Sequence, residues 1–318
     1  MMTHDKKLIY LIIIALVCSV AYLFYGLNFK YFEFSMKLRV PKLLAMLLTA
    51  YCIGAASLIF QTIIRNNIVT PCLLGMNALY LLIHTGVMFF LGSASVFVTN
   101  KYLSFGTDLV LMGIIATIVY SYLFKVTKYN VLYVLLAGTV MATFFSSLQT
   151  SLVRVMDPHE YDTLLSSLVA SFNAVNSDIL LIAFIITFIL SVIYYKDLAL
   201  LDVLSLGKNQ AINLGVDYDK SIKRLLLGVT LFIAVATALV GPISFLGLII
   251  ANLSRQFFKT YRHKYLVLGS VLMGVIVLVA GQVVVERVFV LSIPISVFIS
   301  IAGGLYFMYL LVVNRGKI

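Results

Sequence analysis

The chain has 318 residues, of which 62% are apolar and only 11% charged, with a mean hydropathy of +1.09. A water-facing domain covers itself with roughly a quarter of its residues charged, so this composition excludes a soluble enzyme or binding module and turns most of the surface toward lipid. The net charge of +11 is spread among the connections between apolar runs, where retention of cytoplasmic loops explains it without a nucleic-acid partner.

Lys6 and Lys7 precede a charge-free run over 8–27. That run is longer than an ordinary signal-peptide core and no small-residue cleavage site follows, so it is expected to be the first span. Further apolar runs occupy 43–64, 72–91, 103–124, 131–152, 179–195, 225–240, 243–253, 265–285 and 295–313. Only helices cross lipid with open connections between them, because each satisfies its own backbone. The expected fold is all-α: a polytopic membrane protein with about ten transmembrane helices, forming a single transmembrane domain over 1–318.

Residues 225–254 carry no charge, with Gly241-Pro242 near their middle. Proline removes a backbone donor and disfavours helix just before it, and charge chooses between one helix and two. With a break, ten passes put both termini inside. Seven basic residues then lie outside (Lys30, Lys37, Arg39, Lys42, Lys101, Arg154 and Arg287), leaving sixteen of the 23 Lys and Arg inside. An unbroken helix would move the basic cluster at 255–264 outside and weaken that asymmetry. The helix after the break is expected to start nearer Val240 or to be partly buried in protein. Four of the outer cations crowd into 28–42, against the trend. Arg39 and Lys42 flank Pro41 there, and such cations either serve the outer face or snorkel at a helix end.

Two connections are too long to be simple turns. The external one, 153–178, holds an apolar segment at 163–175 that is expected to form a small helix at the outer mouth. The internal one, 196–224, alternates apolar with polar residues. Val203, Leu204, Leu206, Ala211 and Leu214 are expected to form the faces of two short helices, broken at Gly207 and ended at Gly215. An internal segment with its own amphipathic helices is a candidate docking surface.

In the 131–152 run, Thr139, Thr143, Ser146, Ser147 and Thr150 recur at intervals of three and four and share one helix face. Such a stripe lines a translocation path or packs helices tightly in lipid. Ionisable groups within the runs are His84, Asp108 and, near an end, Glu286, functional candidates by placement. His4, His84, His159 and His263 lie on unrelated segments, and Cys18, Cys52 and Cys72 form no C-x-x-C pair. No metal site, disulfide framework or cofactor is expected. The sequence holds no G-x-x-x-x-G-K-[S/T] phosphate loop, so the chain is expected to be no enzyme and to take its energy from a separate ATPase.

Four ordered blocks resemble the FecCD family of ABC permeases, which import iron-siderophore complexes, haem and vitamin B12. Arg39-Val40-Pro41-Lys42 is similar to its Arg-x-Pro-Arg entry to the second helix. Gly54, Gln61, Arg65-Asn66-Asn67, Pro71 and Leu74-Gly75 resemble the Gly-rich block that follows. Leu204-Ser205-Leu206-Gly207, Ala211 and Leu214-Gly215-Val216 match its coupling loop. Gly241-Pro242-Ile243-Ser244-Phe245-Leu246-Gly247-Leu248, then Arg255, match its Gly-x-Ile-x-Phe-x-Gly-Leu block. The chain departs from the pattern at Asn67, at Ala251-Asn252 where Pro-His is usual, at Ala280-Gly281-Gln282, and at Ser292 before Pro294.

The resemblance implies a type II ABC importer permease carrying iron-siderophore complexes across a bacterial cytoplasmic membrane. It implies that Leu204, Ser205, Leu206, Gly207, Ala211, Leu214 and Gly215 seat on cytoplasmic ABC ATPase subunits. Arg39, Lys42 and Arg287 would then meet acidic residues on an extracellular or periplasmic siderophore-binding protein, and the stripe from Thr139 to Thr150 would line the path. The departures resemble the catecholate-siderophore branch, whose members pair with a second, different permease chain, with a homodimer as the alternative. A proton- or sodium-coupled carrier would instead need an embedded carboxylate or an unwound ion site at midplane; Asp108 is the mid-run candidate, and the long internal segment would go unexplained. A non-transporting scaffold would leave the polar stripe without a purpose.

Overall fold

The computed structural model describes residues 4–26, 29–127, 131–168, 170–173, 175–289 and 293–313. Thirteen helices are described: α1 (His4–Phe24), α2 (Phe32–Ile64), α3 (Met76–Leu91), α4 (Val96–Thr99), α5 (Lys101–Val126), α6 (Val131–Val155), α7 (Pro158–Leu168), α8 (Ser177–Leu204), α9 (Lys208–Asn213), α10 (Tyr218–Val240), α11 (Leu246–Phe258), α12 (His263–Arg287) and α13 (Ile295–Val313). Among the described residues there is no strand. Seven helices (α1, α2, α5, α6, α8, α10 and α12) are long and apolar enough to cross a membrane. Two shorter apolar helices, α3 and α13, add to these, and the tenth expected run corresponds to the 13-residue α11.

The core forms around α2. From Leu43 to Ile64 nearly every residue of this helix is buried, on all its faces, as befits a helix apolar all round. It packs against α8, α10, α11 and α12. Small residues let these helices approach: Ser270 Oγ on α12 donates to the Gly54 carbonyl at 3.0 Å. At the periphery, α1 and α6 keep most of their apolar surface uncovered, leaving it for lipid or another chain.

Two irregular segments interrupt the bundle, and they meet. Residues 65–75 link α2 to α3, and 241–245 link α10 to α11. Cys72 Sγ lies 3.8 Å from the Ile243 carbonyl, and Asn77 Nδ2 donates to Ser244 Oγ at 3.2 Å. Gly241 has φ +89°, and a Cβ there would lie 2.8 Å from Ala170 Cα. Non-helical backbone at membrane depth is tolerated where protein covers it, and here Ser171 N–H donates to the Val240 carbonyl at 3.0 Å.

Several boundaries differ from expectation. The second span begins at Phe32, not 43, so Arg39, Pro41 and Lys42 lie inside α2. Proline is tolerated because the carbonyl it leaves unpaired, that of residue 37, sits in an exposed stretch. The helix after the break starts at Leu246, later than expected, because Phe245 adopts a left-handed conformation with φ +61°. It has 13 residues, about 20 Å of rise against a hydrocarbon core of about 30 Å, and is buried along most of its length.

The short helix expected at the outer mouth runs from Pro158 to Leu168, ahead of the apolar 163–175 segment; Asp157 Oδ1 accepts the His159 N–H at 2.9 Å and starts it early. In the internal segment only one short helix forms. What was expected as the first is the end of α8, since no Gly or Pro interrupts 196–204.

Candidate coupling segment and outer cation cluster

The candidate residues gather at two ends of the bundle. At one, the α8–α9–α10 connection projects beside the start of α1 and the α11–α12 turn. Lys7 Nζ donates to the Phe257 carbonyl at 2.7 Å, and the Tyr265 hydroxyl donates to Asp5 at 2.7 Å. The connection is a compact, capped knob. After α8, Gly207 turns the chain with φ +103°, which only glycine adopts without strain. At the other end of α9, Val216 N–H donates to the Ala211 carbonyl at 3.0 Å across Gly215, whose φ is positive; this six-to-one closure satisfies the last carbonyls of the helix. Asp217 then caps α10 by accepting Lys220 N–H at 3.2 Å.

The seven residues picked out in the sequence divide by direction. Leu204 and Ala211 are buried and hold the knob to the bundle. Ser205 Oγ donates to the Asp202 carbonyl at 2.8 Å, and Gly207 packs against the Arg65 guanidinium. Leu206 and Leu214 point outward, 51% and 62% exposed, and Ile212 joins them at 52%. Ile212 was missed in the sequence, although an apolar side chain in a loop otherwise rich in Lys, Asn and Gln was the available signal. Three exposed aliphatic side chains on a short rigid knob form a surface suited to a cleft on another protein.

At the opposite end, Arg39, Lys42 and Arg287 converge, as the sequence alone did not show. Arg39 Nη1 lies 3.2, 2.7 and 3.0 Å from the carbonyls of Tyr22, Leu23 and Tyr25 and closes the end of α1. Arg287 Nη2 donates to the Tyr25 carbonyl at 2.9 Å, and the guanidinium lies over the Tyr25 ring. Lys42 Nζ donates to Asn173 Oδ1 at 2.8 Å and pairs with Glu286 at 3.4 Å. Glu286 also accepts from the Tyr22 hydroxyl at 3.0 Å and from Gln282 Nε2 at 2.9 Å. Three cations against one carboxylate leave this corner positive.

The stripe Thr139, Thr143, Ser146, Ser147 and Thr150 lies exposed along α6. Thr139, Thr143 and Thr150 give their hydroxyl hydrogens to carbonyls one turn back, at 2.8–2.9 Å. Exposed positions on an apolar helix leave the stripe available to a path or to a neighbouring chain. His84 and Asp108 form a buried pair, Nδ1 to Oδ2 at 2.7 Å, joining α3 to α5. Tyr80 stacks on the imidazole. The pair lines a cavity of about 270 Å³ whose rim includes Lys101 and Asn176.

Two departures from the family pattern touch each other: Asn252 Nδ2 donates to the Asn67 carbonyl at 2.8 Å. Gln282, a third, bonds Glu286 as above. Ser292, the fourth, lies outside the described residues.

The FecCD transport family model matches residues 7–313. The petrobactin import system permease protein YclO of Bacillus subtilis (strain 168) is 43% identical over 310 residues, covering 98% of each chain. The petrobactin import system permease protein FatC of Bacillus anthracis is 31% identical over 280 residues, covering 88% of this chain and 79% of its own. A solved inward-facing conformation of a metal-chelate type ABC transporter superposes with a TM-score of 0.82 over 97% of this chain and 99% of that one, at 23% identity, and so shows the fold. With the model match spanning almost the whole sequence, the chain belongs to the FecCD transport family and is an integral membrane transport protein.

Proposed function

We propose that this chain is the permease subunit of a bacterial ABC importer that carries iron-siderophore complexes into the cytoplasm. The observation that carries the proposal is the capped knob from Ser205 to Asp217. Its buried side anchors Leu204 and Ala211, and its outer side offers Leu206, Ile212 and Leu214 to a partner. Such a knob suits an ATPase cleft, where nucleotide-driven closure moves the whole connection. A proton- or sodium-coupled carrier has no use for it. The chain contributes a transport path, and ATP hydrolysis belongs to the partner subunits.

The cargo follows from the relatives. Two permeases at 43% and 31% identity are named for petrobactin import, so an iron complex of that siderophore is the first cargo to test. The departures at Asn67, Asn252 and Gln282 support pairing with a second, different permease, and the exposed face of α6 gives that chain or the cargo a polar lining. The positive corner of Arg39, Lys42 and Arg287 supports docking of an acidic siderophore-binding protein outside the cell. Part of each charge is already engaged within the permease. The basic asymmetry of the loops supports a cytoplasmic position for the knob, and the Bacillus relatives support the cytoplasmic membrane.

The test is retention of the ATPase. Leu206→Asp and Leu214→Asp leave the buried anchors intact and put charge on the docking face. Both variants should reach the membrane at wild-type level and lose the ATPase on affinity purification. Wild-type co-purification from both would remove the coupling assignment.

A further inference from the structure

Behind the coupling segment runs a chain of polar contacts that reaches deep into the bundle. Asp202 lies in the last turn of α8, five residues before Gly207. Its Oδ1 accepts the backbone N–H of His263 at 2.8 Å and faces His263 Nδ1 at 2.5 Å. A carboxylate only accepts, so the Nδ1 hydrogen points at Asp202. His263 opens α12 and is 3% exposed. Its Nε2 lies 3.0 Å from Oγ1 of Thr62 on α2, and the single hydroxyl hydrogen of Thr62 is shared with the Leu58 carbonyl at 2.9 Å.

The chain continues beyond Thr62. Arg255 on α11 donates to Thr62 Oγ1 and to Gln61 Oε1, both at 3.4 Å. Gln61 Nε2 donates to the Asn67 carbonyl at 2.7 Å, the same carbonyl that Asn252 meets. One connected set of side chains thus joins the end of α8 to α12, α2, α11 and the irregular 65–75 segment.

The Lys208–Asp219 ion pair beside α9 is of a different kind. Lys208 and Asp219 are both half-exposed at 2.9 Å, a geometry that holds little against water. The Asp202 side chain is 43% exposed, but the His263 imidazole is short, stiff and buried, and a contact anchored in the core resists rearrangement more than one exposed on both sides. A displacement of the α8–α9 corner is therefore passed to α12 and α2 through His263, not absorbed by a flexible side chain.

We propose that His263 and Asp202 are positioning residues for the transport cycle, forming the joint that transmits movement of the coupling segment to α2 and the α11–α12 turn. This rests on the assignment of the 205–217 knob as the ATPase-docking element. A purely structural alternative exists: Asp202 also caps α12, whose own N-terminal residue Arg262 supplies no side-chain cap. The two roles separate by substitution. His263→Phe keeps ring size and the backbone N–H that Asp202 caps, and it removes both imidazole contacts. Asp202→Asn keeps an oxygen that accepts from His263.

The experiment uses the full complex of permease chains, ATPase and binding protein in proteoliposomes, with ferric petrobactin as cargo. It reads ATPase retention, ATP hydrolysis and cargo uptake. His263→Phe should retain the ATPase and still hydrolyse ATP, with uptake per ATP hydrolysed lower by about tenfold, within the usual range for coupling between sites. Asp202→Ala, which also removes the cap of α12, should lose at least as much, and the double variant no more than Asp202→Ala alone, since both break one joint. Asp202→Asn should stay within about twofold of wild type, as a retained acceptor requires.

Uptake per ATP in His263→Phe equal to wild type would overturn the proposal. So would loss of the ATPase from the His263→Phe complex, which would make the residue part of docking. Should His263→Phe fail to accumulate, Thr62→Val removes the far contact with little change of shape and carries the same expectation. Failure of the underlying assignment shows separately, as wild-type ATPase retention in Leu206→Asp.

Discussion

Replacing Arg39 by Ala removes the side chain that closes α1. Its Nη1 faces the carbonyls of Tyr22, Leu23 and Tyr25 at 3.2, 2.7 and 3.0 Å. One Nη1 carries two hydrogens, so two of these bonds form at full strength and the third is shared. A hydrogen bond from a charged donor contributes about 1.5–3 kcal/mol when buried. Arg39 is half-buried, and solvent screening brings the pair nearer ~1–2 kcal/mol in total. A cation at a helix C-terminus adds about 0.3–1 kcal/mol.

The loss on Arg39→Ala is therefore about 2 kcal/mol, and it falls on the end of α1, because this helix is among the least buried in the bundle. Local opening of that end should rise about 30-fold, since 1.4 kcal/mol is a factor of ten. The assay is the thiol-labelling rate of a cysteine placed at Leu23, in a background where Cys18, Cys52 and Cys72 are serine. An unchanged labelling rate with lost uptake would refute the closure of α1 and leave Arg39 serving an outer partner alone.

Gly241→Ala should be among the most destabilising small changes. It combines a residue at φ +89° with a Cβ placed 2.8 Å from Ala170 Cα, for about 2–4 kcal/mol, read as a fall of several degrees in melting temperature in detergent. Glu286→Gln should leave the fold intact, because Tyr22 and Gln282 keep an acceptor, and, by freeing Lys42, should make binding-protein capture more salt-sensitive only if Lys42 serves in docking. Single cysteines at Lys208 and Lys259 should resist membrane-impermeant reagents in intact cells and react in inverted vesicles. Strong labelling from outside would reverse the topology.

The class of fold was legible in charge scarcity and in the lengths of the apolar runs, which need no tertiary information. The Gly241-Pro242 break was legible for a local reason: proline and a positive-φ glycine act on their own backbone. The start of α2 was not, because Pro41 read as a helix entry until its exposed setting made an interior position tolerable. The merging of 196–204 into α8 was missed because alternating apolar and polar residues suit a short interfacial helix and the end of a long one equally.

At the sites, the knob was legible from Gly207 and Gly215, which fix turns in sequence. The direction of its side chains was not, so Ile212 went unmarked. The role of His263 is not legible in sequence, since it lies far from Asp202 and Thr62 and only the packing of α8, α12 and α2 brings the three together. Arg39, Lys42 and Arg287 were picked for their outward charge. Their contacts with the end of α1 and with Glu286 follow from tertiary neighbours that no local pattern announces.

The most direct test of the central claim is uptake of radiolabelled ferric petrobactin into proteoliposomes holding this chain, a second permease and the ATPase, with binding protein outside. Uptake should require ATP on the knob side and binding protein on the other, persist when proton and sodium gradients are collapsed, and disappear in Leu206→Asp. Uptake that proceeds without ATP and follows an imposed proton or sodium gradient would contradict the account.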